Sequence, residues 1–152
     1  MLLQWNIKYG FKIDDPINDT GLPCLSFASA YQTSDKKTFD TILAFGPDIN
    51  CANRIHKKTA LHLAAHNNNI VAINVLLKES GIYVNPKSCG LDTPLHYAVR
   101  VGSAEAIQIL INANACPTVK NTLFNFCMCR RTVWTVRGGN KIAKTNWRVI
   151  LD

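Results

Sequence analysis

The sequence predicts an all-α fold, a solenoid of stacked helix pairs with short loop or hairpin connections and an irregular C-terminal tail. Three observations carry that expectation. A phrase recurs at a fixed period: Thr59-Ala60-Leu61-His62-Leu63-Ala64, then Thr93-Pro94-Leu95-His96-Tyr97-Ala98, beginning 34 residues later. A degraded copy, Pro23-Cys24-Leu25-Ser26-Phe27-Ala28, lies 36 residues before the Thr59 copy. Each copy leads, after a polar turn, into apolar residues at helical spacing closed by Gly46, Gly81 or Asn114. Self-similarity at such a period marks a repeat array, whose units are each too thin to bury their apolar face alone.

The elements follow in order. Leu2, Leu3, Ile7 and the run Tyr9-Gly10-Phe11-Lys12-Ile13-Asp14 read as the back half of a repeat, over residues 1–17. Gly10 lies 36 residues before Gly46. The chain would thus open inside a repeat, as part of a longer array, or with the half-repeat as a cap in which Trp5 covers the first full unit. Repeats over about 18–51, 52–86 and 87–120 come next. In the first, Leu25, Phe27 and Ala28 fit one helix and Phe39, Ile42 and Leu43 a second. In the second, Thr59 suits an N-cap, because its hydroxyl can accept from a free backbone N–H of the first turn. Leu61, Leu63, Ala64 and Ala65 follow, with small residues on one side. Asn67-Asn68-Asn69 makes the turn, and Ile70, Ile73, Leu76 and Leu77 the second stripe. In the third, Thr93 caps with Pro94 at the first helical position, where its fixed φ and missing N–H cost least. Gly102 separates the helices, and Ala106, Ile107, Leu110 and Ile111 form the stripe. After Asn121 the period is lost. Residues 122–152 read as a basic tail, either a β-hairpin through Thr132–Arg137 and a Gly138-Gly139-Asn140 turn or an irregular or disordered segment.

The Thr-Pro-Leu-His-x-Ala phrase at this period resembles the ankyrin repeat family, strongly in the two later copies and more weakly in the first. The resemblance covers residues 1–121, about four-fifths of the chain. It implies that Thr59, His62, Thr93, Pro94 and His96 are structural, with each His tying its turn to the neighbouring loop. It also implies protein recognition through the concave face and the loop tips. Carried onto this chain, the contact positions are Tyr31, Arg54, Ile55, His56, Lys58, His66, Asn67, Leu91, Asp92, Arg100 and Val101. The window Leu43–Asn50 resembles a segment that asparaginyl hydroxylases modify in this family, with Asn50 as the acceptor.

Composition narrows the remaining classes. The chain has 152 residues, 47% hydrophobic and 18% charged, which suits one ordered globular unit. Residues 1–121 carry 11 Lys+Arg against 9 Asp+Glu; residues 122–152 carry 6 against 1. The net charge of +7 is therefore mostly the tail's, and nucleic acid is not the expected partner of the repeats. Arg54, Lys57, Lys58 and Arg100 nevertheless favour a protein partner with an acidic surface. Apolar runs are too short to span a membrane. The six cysteines are scattered, as expected of free thiols in a reducing, intracellular compartment. Cys127-x-Cys129 lacks the second pair a structural zinc needs. His56 and His66 have no adjacent nucleophile or acid in any known motif, so no enzyme, cofactor or small-molecule substrate is expected. The function expected is a monomeric, non-catalytic adaptor, scaffold or inhibitor. Two alternatives stand beside it: a fragment of a larger ankyrin-containing receptor, channel or toxin-like protein, and a decoy inhibitor of a transcription factor.

Overall fold

A computed structural model of the chain describes residues 12–16, 21–31 and 35–122. Among these residues lie six helices and no strand: α1 (Cys24–Ala30), α2 (Lys36–Leu43), α3 (Ala60–His66), α4 (Ile70–Leu76), α5 (Pro94–Val101) and α6 (Ala104–Asn112). They form three consecutive pairs in two rows, α1, α3 and α5 in one and α2, α4 and α6 in the other, with α3 packed between α1 and α5. Trp5 and nearly all of the half-repeat and the tail fall outside the described residues.

The helices are short because their stop signals come early. Gly46, Gly81 and Asn114 end the second helix of each pair with φ of 66°, 85° and 64°. An added Cβ would meet nothing within 4 Å at Gly46 or Gly81, so the demand there is left-handed backbone rather than space. Asn tolerates that region better than most residues, which is why Asn114 can replace Gly. Asn68 (φ 54°) and Gly102 (φ 78°) make the equivalent turn between the two helices of a pair.

Helices of this length are marginal in water on their own, so stability comes from packing. In the α1/α3/α5 row the buried residues include Ala28, Ser29, Ala60, Ala64, Ala65 and Ala98, small enough to let helices approach closely. Between the rows, Leu25, Phe39, Ile42, Leu61, Ile73, Leu76, Leu95 and Leu110 are at most 3% exposed and fill the core. The buried Ser29 hydroxyl donates to the Leu25 carbonyl at 2.7 Å. No buried side-chain polar atom among the described residues lacks a partner.

The repeats are also stitched along their edges. Asp48 N–H donates to the Asp14 carboxylate at 3.0 Å. Asn50 accepts from Tyr83 N–H and donates to the Gly81 carbonyl, both at 2.8 Å. Asn85 accepts from Cys116 N–H at 2.7 Å. Asn69 caps α4 by accepting from Ala72 N–H and reaches back to the Tyr31 carbonyl at 2.7 Å.

Two stability predictions follow from this architecture. Leu61→Ala should cost about 2–5 kcal/mol, because the central layer has neighbours on both sides that cannot collapse into the void; urea denaturation measures it. Gly81→Ala should cost roughly 1–2 kcal/mol and Gly81→Asn less, in the same assay, since only backbone strain separates them.

Candidate functional site

The surface the sequence points to is built from the loops at 52–58 and 86–92 and from the ends of α1, α3 and α5. Each loop turns tightly. Asn53 N–H donates to the Lys58 carbonyl at 2.8 Å, and Lys58 N–H to Asn53 Oδ1 at 2.7 Å. Ser88 N–H and the Asp92 carbonyl pair likewise at 2.9 Å. Lys57 (φ 54°) and Leu91 (φ 57°) take the left-handed conformation that such a turn requires. The tips are bonded to each other: Cys89 N–H donates to the His56 carbonyl at 2.9 Å, and Thr122 N–H to the Gly90 carbonyl at 3.0 Å.

The phrase residues hold these loops to the helices. Thr59 and Thr93 are N-caps with extended φ/ψ, each in a reciprocal capping arrangement with the His three residues on. His62 Nδ1 accepts from Thr59 N–H at 3.0 Å, and the Thr59 hydroxyl lies at the same distance. His62 Nε2 lies 3.0 Å from the Asp92 carbonyl, so Nε2 carries the proton and donates to the next repeat. His96 Nδ1 repeats the first contact, accepting from Thr93 N–H at 3.1 Å. Burial is the largest influence on His62 and pushes its pKa down to about 4. The ring is neutral in the fold.

Of the positions expected to face a partner, most are exposed. Tyr31, Ile55, Leu91 and Val101 are four of the six exposed large apolar side chains among the described residues, at 50, 57, 42 and 43%. Tyr31 is braced by Phe27, with ring centroids 4.7 Å apart. Arg54, His56, His66 and Arg100 are exposed, and Lys58 and Asn67 half-buried. Asn67 turns its amide onto the Leu63 carbonyl at 3.0 Å. Asp92 is placed differently from the expectation. Its side chain is 12% exposed; one oxygen accepts from Arg100 at 3.0 Å and the other from Asn121 at 2.8 Å. Burial acts to raise its pKa, but those two hydrogen bonds outweigh it and hold the carboxyl below its usual range. Asp92 shapes the loop from within. Asn50, expected as a hydroxylation acceptor, has both amide atoms in the bridge to Gly81 and Tyr83.

Sequence reasoning missed Tyr97, on which Lys58, His62, His66 and Arg100 converge. The residue is 5% exposed. Lys58 Nζ lies 4.9 Å and Arg100 Cζ 5.0 Å from its centroid. His62 and His66 both meet it edge-on at 5.6 Å. Burial first, then Lys58 and Arg100, lowers the pKa of His66. The available signal was Arg100 three residues after an aromatic on a helix, the spacing at which side chains meet.

Charge is segregated between the two rows. Residues 52–68 and 87–101 hold Arg54, Lys57, Lys58, Lys87 and Arg100 against Asp92 alone. The second-helix stretches 35–43, 70–80 and 104–112 hold Lys36, Lys37 and Lys78 against Asp35, Asp40, Glu79 and Glu105. Cys24, Cys51, Cys89 and Cys116 are unbridged. No helix of the described residues is long and apolar enough to cross a membrane, and they contain no cluster able to hold a metal ion. Cys127 and Cys129 lie outside them.

Comparison with known proteins agrees with this architecture. A family profile described as "Ankyrin repeats (3 copies)" matches residues 25–121. The chain is 34% identical over 64 residues to the "Transient receptor potential cation channel subfamily A member 1 homolog" of Caenorhabditis elegans, covering 42% of this chain and 5% of that protein. It is 25% identical over 109 residues to the "E3 ubiquitin-protein ligase KEG" of Arabidopsis thaliana, covering 72% and 7%. It is 35% identical over 80 residues to the "Nuclear factor NF-kappa-B p105 subunit" of Mus musculus, covering 53% and 8%. The chain thus spans less than a tenth of each of these relatives.

The neutral His62 predicts a pH dependence. Its folded pKa lies below the unfolded value of about 6.5, so the unfolded chain protonates first as pH falls. The stability tied to His62 is complete above about pH 6.5 and declines toward pH 4, by roughly 3 kcal/mol in all. Denaturant unfolding across that window should show it. His62→Gln should flatten the slope, while the carboxylates titrate alike in both proteins.

Proposed function

The chain belongs to the ankyrin repeat family, whose repeats are protein–protein interaction modules, and from that premise we propose that it acts as a monomeric, non-catalytic adaptor, scaffold or inhibitor. It binds through the strip formed by the loops at 52–58 and 86–92 and the ends of α1, α3 and α5. One observation carries the reading: Tyr31, Ile55, Leu91 and Val101 stand exposed on the same strip that collects the unbalanced positive charge, while the second-helix row is close to neutral. Exposed apolar side chains supply the area a partner can bury, and a basic surround speeds encounter with an acidic protein surface and selects for it. The hydrogen-bonded tips reduce the ordering cost on binding. Catalysis has no support in this arrangement: His62 is consumed by Thr59 and the Asp92 carbonyl, and Asp92 by Arg100 and Asn121. The unbridged thiols Cys24, Cys51, Cys89 and Cys116 support an intracellular setting.

A second reading has its own support. The relatives are much longer proteins, a channel homologue, a ligase and a nuclear factor subunit by name, and each is matched over less than a tenth of its length. A recognition module of a larger ankyrin-containing protein, or an inhibitor competing for a transcription factor, uses the same strip. Both readings stand or fall with it.

The strip is tested by quantitative affinity capture with the full chain. Ile55→Asp combined with Leu91→Asp, which tolerates the positive φ, should lower the recovery of bound proteins by about tenfold. Val71→Asp, at an equally exposed apolar position on α4 (42% exposed), should leave recovery unchanged. Equal losses from both variants, or from neither, would refute the assignment.

A further inference from the structure

Tyr97 brings two cations from different repeats to one ring. Lys58 comes from the loop before α3 and Arg100 from α5, each about 5 Å from the centroid. Two positive charges beside one ring are a local surplus that draws an anion. Asp92 does not fill that role for Lys58. Its oxygens are taken by Arg100 and Asn121, and among the described residues Lys58 has no carboxylate partner. Arg100 uses one terminal nitrogen on Asp92 and keeps its remaining donors, with half of its side chain exposed. The ring, the ammonium and the free donors of the guanidinium therefore form a small basic seat on the strip, with the exposed Val101 next to Arg100 in the chain.

We propose that Lys58, Tyr97 and Arg100 form an anion subsite that receives the carboxylate of an Asp or Glu side chain from an extended acidic segment of the protein partner. The proposal rests on the strip reading above and names the chemistry at its centre. A carboxylate suits the seat better than a phosphate. Asp92 already presents a negative charge to Arg100, and a dianion beside it meets more repulsion than a monoanion. Lys58 Nζ and the remaining guanidinium donors of Arg100 are charged, and charged donors make the stronger hydrogen bonds to a carboxylate. The exposed apolar side chains of the strip take other residues of the segment. His66, facing Lys58, Tyr97 and Arg100, reports occupancy: its pKa, held down by burial and by the two cations, rises when an anion arrives.

The test uses the full chain and three fluorescein-labelled decapeptides, alternating Glu and Leu, Gln and Leu, or phosphoserine and Leu, read by anisotropy. The Glu peptide should bind, roughly five- to tenfold more weakly to Lys58→Gln and to Arg100→Gln, and unchanged to Tyr97→Phe, which keeps the ring. Denaturation midpoints confirm that each variant is folded. Saturation should raise the His66 pKa followed by imidazole NMR. Absence of Glu-peptide binding, equal binding of the Gln peptide, or tighter binding of the phosphoserine peptide would overturn the subsite. So would indifference to the Lys58 and Arg100 substitutions. If Ile55→Asp with Leu91→Asp still abolishes binding in that last case, the strip survives without the subsite; if not, both fail.

Discussion

A helix of seven to nine residues gains too little from its own hydrogen bonds to offset the entropy of forming it. Every helix described in this chain has that length. Each pair persists only because the next pair closes its apolar face, and the geometry of that closure constrains all else. Leu61, Ile73 and Leu76 are wholly buried in the central layer, where both faces are covered. Ala60, Ala64 and Ala65 let α3 lie close to both of its neighbours, while the bulkier Leu and Ile side chains fill the space between the rows. The difference in side-chain size is what produces two rows instead of a bundle around one axis.

Close stacking brings backbone groups of successive repeats together, and those groups need partners. Short polar side chains supply them. Asn50 and Asn85 reach forward to the next repeat's backbone, Asn69 reaches back to Tyr31, and His62 spans from its own N-cap to the Asp92 carbonyl. These bonds also tie the loops to helices buried in the stack. A surface on such loops is ordered before any partner arrives, so association costs less entropy than it would from free loops.

The part of this legible in the sequence is the part that repeats. Thr59 and Thr93 read as caps, Gly81 and Asn114 as left-handed stops, and the apolar stripes as helices, because each depends on neighbours within about four residues. What escaped detection depends on distant residues. Asp92 looked like a loop-tip contact, yet its partners are eight and 29 positions away. The Asn50 amide bonds, to residues 31 and 33 positions ahead, left no local sign either. Tyr97 was overlooked because it occupies the free position of the phrase, and its significance comes from Lys58 in the preceding loop. Period alone locates an element; it does not reveal which side chains of two elements meet.

That free position bears on how such a chain acquires specificity. Within the phrase, Leu25, Leu61 and Leu95 sit in the core, and Ala28, Ala64 and Ala98 in the helix contacts. The residue just before that Ala varies: it is Phe27, Leu63 and Tyr97 in the successive copies. Phe27 braces Tyr31, Leu63 is half-buried, and Tyr97 gathers two cations. This residue thus differs in chemistry from copy to copy, while the Leu and Ala that hold the stack together stay the same. Fixed and variable positions thus alternate within six residues, so units with the same packing can place different side chains at each step of the array.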